Sequence, residues 1–220
     1  MRRRLFLAAA LALAVAPAAS AQSTPAPGRK TVEVGKVFPY FDRYLRLPAA
    51  ERDRFSMAYY WSRDGKPLTG PVAVLVDGPN RVPITAGPNG RVERLPTLAQ
   101  IAAKRPLTFE GLPAATKLNL SLSIEPTLRP AAELPAPELA AAVAQASRGA
   151  KKAAGMMRLA MPKLDAVRLV GAQGAEVVTA DGRALPLPVE KGVPVFRPSQ
   201  HPNAQLVRSR TPPRQLQIGS

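Results

Sequence analysis

The 220-residue chain contains no cysteine. Disulfides, thiolate metal sites and thiol nucleophiles are therefore excluded. Histidine occurs once, as His201, between Pro198 and Pro202. A Ser–His–acid site needs a histidine held rigidly between two partners, and a histidine zinc site needs several. Neither is expected here. Neither a G-x-G-x-x-G or P-loop phosphate cradle nor a G-x-S-x-G nucleophile elbow occurs. Acids are scarce, 15 against 31 lysines and arginines. Asp64, Asp77 and Asp181 sit in turn contexts, and Glu110 and Glu125 at strand ends. No catalytic residue, cofactor site or metal site is expected from these patterns.

Long apolar runs are also missing. The longest, Leu5 to Ala16, falls short of the roughly 20 residues a membrane helix needs. It follows Arg2, Arg3 and Arg4 and precedes the small-x-small site Ala19-Ser20-Ala21. That order reads as a secretory signal peptide over residues 1–21. Arg3-Arg4-Leu5-Phe6-Leu7 resembles the core of a twin-arginine signal. The short n-region and strongly apolar h-region favour the general secretory route. The protein is thus expected in a bacterial periplasm or secreted, with no transmembrane segment after cleavage.

The charge is one-sided. The formal net charge is +16, and removing residues 1–21, with three arginines and no acid, leaves +13. This points to a polyanionic partner such as lipopolysaccharide, anionic lipid or cell-wall polymer. Nucleic acid is not expected, because no recognition motif is present. A GC-rich genome gives the same excess of arginine over lysine, 22 to 9, without functional selection.

Punctuation by proline and glycine divides the rest. Residues 22–30 read as a disordered linker, 31–125 as an N-terminal α+β half and 126–137 as a Pro-rich connector. Residues 138–190 read as a C-terminal α+β half and 191–220 as a basic Pro-rich tail. The spacing of Phe38, Phe41 and Leu45 predicts a helix over 37–47. Alternation predicts strands at 55–62, 72–76, 82–85, 91–95, 107–110 and 117–124. The 117–124 strand places Leu118, Leu120, Leu122 and Ile124 on a buried face, and Asn119, Ser121 and Ser123 on a wet one. Thr97 can cap a short helix.

A long helix is expected from Pro137 to about Ala154, stopped at Gly155. Its narrow face carries Leu139, Val143, Ala146 and Ala150, and its polar face Glu138, Gln145, Arg148 and Lys152. Strands are expected over 156–160, 166–170, 175–180 and 183–187. The tail is either a loose arm or a strand pair over 204–207 and 215–218. The expected fold is α+β, short antiparallel β-meanders packed by helices in two similar helix-plus-four-strand halves. The alternative is a β-sandwich in residues 55–125 with flanking helices. Ile84-Thr85-Ala86 to Asn89-Gly90-Arg91 echoes Val178-Thr179-Ala180 to Asp181-Gly182-Arg183, and supports the halves.

The function that fits is an exported, non-enzymatic envelope protein acting by binding, its partner an envelope protein or an anionic polymer. Arg148, Lys151, Lys152, Arg208, Arg210 and Arg214 are the candidate anion-binding residues. Tyr60 is the candidate aromatic contact, because alternation sets it on the face away from Tyr59 and Trp61. The alternatives are a binder of anionic envelope polymers or lipid through a basic surface, and a small carboxylate-dependent hydrolase.

Overall fold

The protein is described by a computed structural model over residues 28–112, 117–154 and 163–220. The expected signal peptide, linker residues 22–27, the stop at Gly155 and the strand over 156–160 lie outside these residues. The structure is rich in antiparallel strands and has few helices.

In chain order, the first part runs β1 (Gly28–Glu33), α1 (Val34–Val37), α2 (Phe41–Arg46), β2 (Phe55–Arg63) and β3 (Lys66–Pro67). It continues with β4 (Gly70–Asp77), β5 (Asn80–Ala86), α3 (Leu98–Ala102), β6 (Pro106–Leu112) and β7 (Leu118–Pro126). The second part runs β8 (Glu133–Pro135), α4 (Ala136–Ala154), β9 (Ala166–Val170), β10 (Glu176–Thr179) and β11 (Ala184–Pro186). It ends with β12 (Val189–Glu190), β13 (Val193–Phe196), β14 (Ala204–Arg208) and β15 (Gln215–Gly219).

Among the described residues three sheets result, ordered β1-β6-β4-β5, β11-β10-β14-β8 and β12-β13-β9-β15-β7-β2-β3. The expected meanders form only in part. β4–β5 and β10–β11 are hairpins, but β2 pairs with β7 and β1 with β6, across long stretches of chain. The pairings recur. β1-β6-β4-β5 is matched by β8-β14-β10-β11, and the pair β2–β7 by β9–β15. In each set a helix follows the first strand. β7 and β15 meet at Ile124 and Ile218, so the seven-stranded sheet is common to both sets. The turn Asp181–Gly182 therefore occupies the place of Gly78–Pro79, not that of Asn89–Gly90 as the sequence echo suggested.

Local chemistry explains the departures from the expected elements. The helix over 37–47 is two short helices. Pro39 disfavours helical backbone at Phe38, and Tyr40 takes a left-handed φ of 65°. The Tyr59 hydroxyl fixes this break by donating to the Pro39 carbonyl at 2.6 Å. Residues 91–95 form isolated bridges rather than a strand. Arg91 faces Tyr60, and Val92 faces Ala86. The connector holds a strand, β8, which sits at a sheet edge, where a missing N–H is tolerated. Pro67, Pro83 and Pro186 likewise lie in edge strands. The tail strands form but do not pair with each other. β14 lies between β10 and β8, and β15 between β9 and β7. Thr97 caps α3 in a reciprocal capping box with Gln100, as its position implied.

Two apolar cores follow. One gathers Phe38, Phe41, Tyr59, Trp61, Leu75, Ile84 and Leu107. The other packs Leu139, Ala142, Val143 and Ala146 of α4 onto Val167, Leu169, Val177, Val207 and Phe196. The small residues on α4 let the helix approach closely. A Cβ on Gly149 would lie 3.0 Å from the Phe55 ring and 3.2 Å from Leu47. Gly90 is tighter still. It has φ 82°, and a Cβ there would lie 2.4 Å from the Trp61 carbonyl oxygen. Its own carbonyl accepts the Trp61 N–H at 2.8 Å, which pins the loop to the edge of β2 beyond its short pairing with β3.

Gly90→Ala is expected to cost at least about 3 kcal/mol, because left-handed strain and a backbone clash add. Gly182→Ala, at φ 80° with open space around it, should cost only about 1–2 kcal/mol. Urea unfolding of the two variants measures the difference.

Candidate functional site

The candidate anion-binding residues fall in two places. The first is the C-terminal half of α4. Gln145, on the polar face of the helix opposite Leu139 and Val143, is buried. It accepts from the Arg54 N–H at 2.8 Å and donates to the Ala50 carbonyl at 3.0 Å and to the Asp53 carboxylate. The reason is the close approach at Gly149, which brings residues 47–55 over this side of the helix. A depression of about 420 Å³ remains beside it, lined by Ala50, Glu51, Gln145, Arg148, Gly149 and Lys152. Lys152 Nζ lies 2.8 Å from both Glu51 oxygens. Both side chains are largely exposed, so this pair is worth little. Arg148 is exposed and meets no carboxylate among the described residues. Lys151 is exposed on the same helix but does not line the depression.

The second place is the tail. Arg208 is neutralised by Glu176, to which Nε donates at 2.9 Å. Arg210 and Arg214 are exposed and lie along the turn between β9 and β10. Their main-chain N–H groups donate to the Gln173 and Val170 carbonyls at 2.9 and 2.8 Å.

Tyr60 does sit on the face opposite Tyr59 and Trp61, as alternation required. It is half-buried, and its hydroxyl lies in a hydrogen-bond network. It donates to Glu125 Oε1, which also accepts from Gln215 Nε2 at 2.6 Å. Arg91 lies 3.1 Å from Glu125 Oε2. Burial first, then the hydrogen bond to Glu125, pushes the Tyr60 hydroxyl well above the ordinary phenol range. Burial does the same to Tyr59, helped by Asp42. Among the described residues the most exposed aromatic ring is that of Tyr40, at 57 %, with the Arg43 guanidinium 5.9 Å from its centroid.

Glu125 is the residue that sequence reasoning missed. The wet side of β7 was expected to stay wet, yet Ser123 and Glu125 are buried while Leu122 is 38 % exposed. The covering groups come from far away in sequence, Arg91 and Gln215, so no local pattern marks the site. His201 stacks on Phe196 with ring centroids 6.1 Å apart. Among the described residues, no group of three or more histidines and acids is placed to hold a metal ion. No described helix is long and apolar enough to cross a membrane.

The raised tyrosines fix a pH dependence. Tyrosine ordinarily titrates near pH 10, and the folded protein holds both protons above that. Their stabilisation is fully present below about pH 10 and is lost as pH rises further. Urea unfolding from pH 8 to 12 should show this fall, and Tyr60→Phe should flatten it. An unchanged slope in the variant would contradict the assignment. Comparison of the chain with protein-family models, with curated proteins and with solved structures gives no match.

Proposed function

We propose that the protein is an exported, non-enzymatic binding protein of the bacterial envelope whose ligand is an anionic polymer or lipid. Export rests on residues 1–21 of the sequence, with the general secretory route favoured. The observation that carries the binding reading is a set of exposed arginines without counterions. Arg148, Arg210 and Arg214 meet no carboxylate among the described residues, while Arg168, Arg183, Arg197 and Arg208 each do. With 31 basic residues against 15 acids, exposed guanidinium groups of this kind carry the surface's excess positive charge. Free guanidinium groups are ready donors for phosphate, sulfate or carboxylate.

The architecture we propose is two copies of one strand–helix–strand unit, sharing the sheet through β7 and β15. The matched pairings support this, as does the placement of Gly90–Val92 along β2 and of β13 along β9. The carboxylate-hydrolase alternative gains no support from Glu125, whose oxygens are held by Tyr60, Gln215 and Arg91.

Binding of residues 22–220 to lipopolysaccharide and to phosphatidylglycerol vesicles tests the reading. Affinity should fall at least about tenfold between 50 and 200 mM salt. Binding that ignores salt, or no binding at 50 mM, would rule it out.

A further inference from the structure

We infer that the turn at residues 171–174 and the arm at residues 210–214 together form a clamp for a phosphate group. The arm runs beside the turn, held to it by the Arg210 N–H on the Gln173 carbonyl and to the end of β9 by the Arg214 N–H on the Val170 carbonyl. Thr211 forms an isolated bridge with Gln173. Pro212 and Pro213 stiffen the backbone between the two arginines. The loop that carries the charges is therefore held in one shape before any ligand arrives.

The turn is built to receive the side chains. Gly171 and Gly174 have φ of 83° and 58°. A Cβ on Gly171 would lie 2.8 Å from Arg214 Nε. A Cβ on Gly174 would lie 3.4 Å from Arg210 Cβ and 3.6 Å from its Nε. Both glycines thus serve twice, by turning the chain and by leaving room for an arginine against the backbone. The two glycine Cα atoms are three residues apart, so they are separated by at most about 11 Å. Two planar forks set along one short turn suit a tetrahedral oxyanion, whose several oxygens can engage both. A single carboxylate would be satisfied by one.

Of the six arginines after residue 163, only these two lack a carboxylate partner among the described residues. In the two-copy reading, the matching segment between β6 and β7 has the sequence Pro-Ala-Ala-Thr-Lys at 113–117, with no arginine. The clamp is then a property of one copy and not a requirement of the unit's fold.

The inference rests on the anion-binding reading, and calorimetric titration of residues 22–220 with inorganic phosphate at low salt separates the two. Saturable binding is expected. Arg210→Ala with Arg214→Ala should weaken it at least about tenfold, and so should the paired change of both to lysine, which keeps charge but loses the forks. Arg183→Ala, which removes an exposed arginine already paired with Asp181, should leave it unchanged. The single changes R210A and R214A should each weaken binding, which keeps the test open if the double variant misfolds. Competition by phosphatidylglycerol but not by phosphatidylcholine vesicles would identify an anionic lipid headgroup as the source. Competition by neither would identify a soluble phosphate. Absence of phosphate binding, or wild-type binding by a folded double-alanine variant, would overturn the clamp. Loss on Arg148→Ala with Lys152→Ala, but on none of the Arg210 and Arg214 changes, would overturn it too, while leaving the broader anion reading in place.

Discussion

One buried carboxylate joins parts of the chain that no local pattern connects. Glu125 sits near the end of β7, 6 % exposed, and its two oxygens collect a hydroxyl, an amide and a guanidinium. Those groups come from β2, from β15 and from the loop after β5. A buried charge is costly unless paired and hydrogen-bonded, and removing its partners from such a site costs about 3–5 kcal/mol. The carboxylate therefore demands that β15 lie beside β7 and that the 87–92 loop fold down. Only one residue pair, Ile124 and Ile218, is in register between these central strands. The polar network supplies specificity at a junction where the ladder is short.

Around that junction the two sets of strands take the same order with very different sequences. The elements carrying strong local signals were legible in advance. Phe55 to Ser62 alternates heavy apolar residues and forms β2; Asp64–Gly65 turns with φ of 51° and 76°, as a two-residue hairpin loop demands. Thr97 and the small-residue face of α4 also declared themselves. What could not be read was which strand meets which. Alternation says which face is apolar, but it does not say that β2 will skip its neighbours for β7. The helix predicted over 37–47 breaks at Pro39, which disfavours helical backbone at Phe38, and the Tyr59 hydroxyl holds the break through the Pro39 carbonyl.

The candidate site was legible to a similar degree. The basic residues of the tail were visible as charge, but their meaning depends on partners. Arg208 finds Glu176, and Arg210 and Arg214 find the glycines of a turn some 40 residues earlier in the chain. Gln145 shows the reverse error. Helical spacing placed it with Arg148 and Lys152 on an outer face, but the close approach at Gly149 covers it. A helix wheel fixes direction; only packing decides which directions meet solvent.

The claim that Glu125 ties the two strand sets together is tested most directly by a double-mutant cycle between Glu125→Gln and Gln215→Ala, read from unfolding in urea. The two changes should couple by about 1 kcal/mol or more within a single cooperative transition. Effects that add to within about 0.3–0.5 kcal/mol would mean that the junction is held by something else.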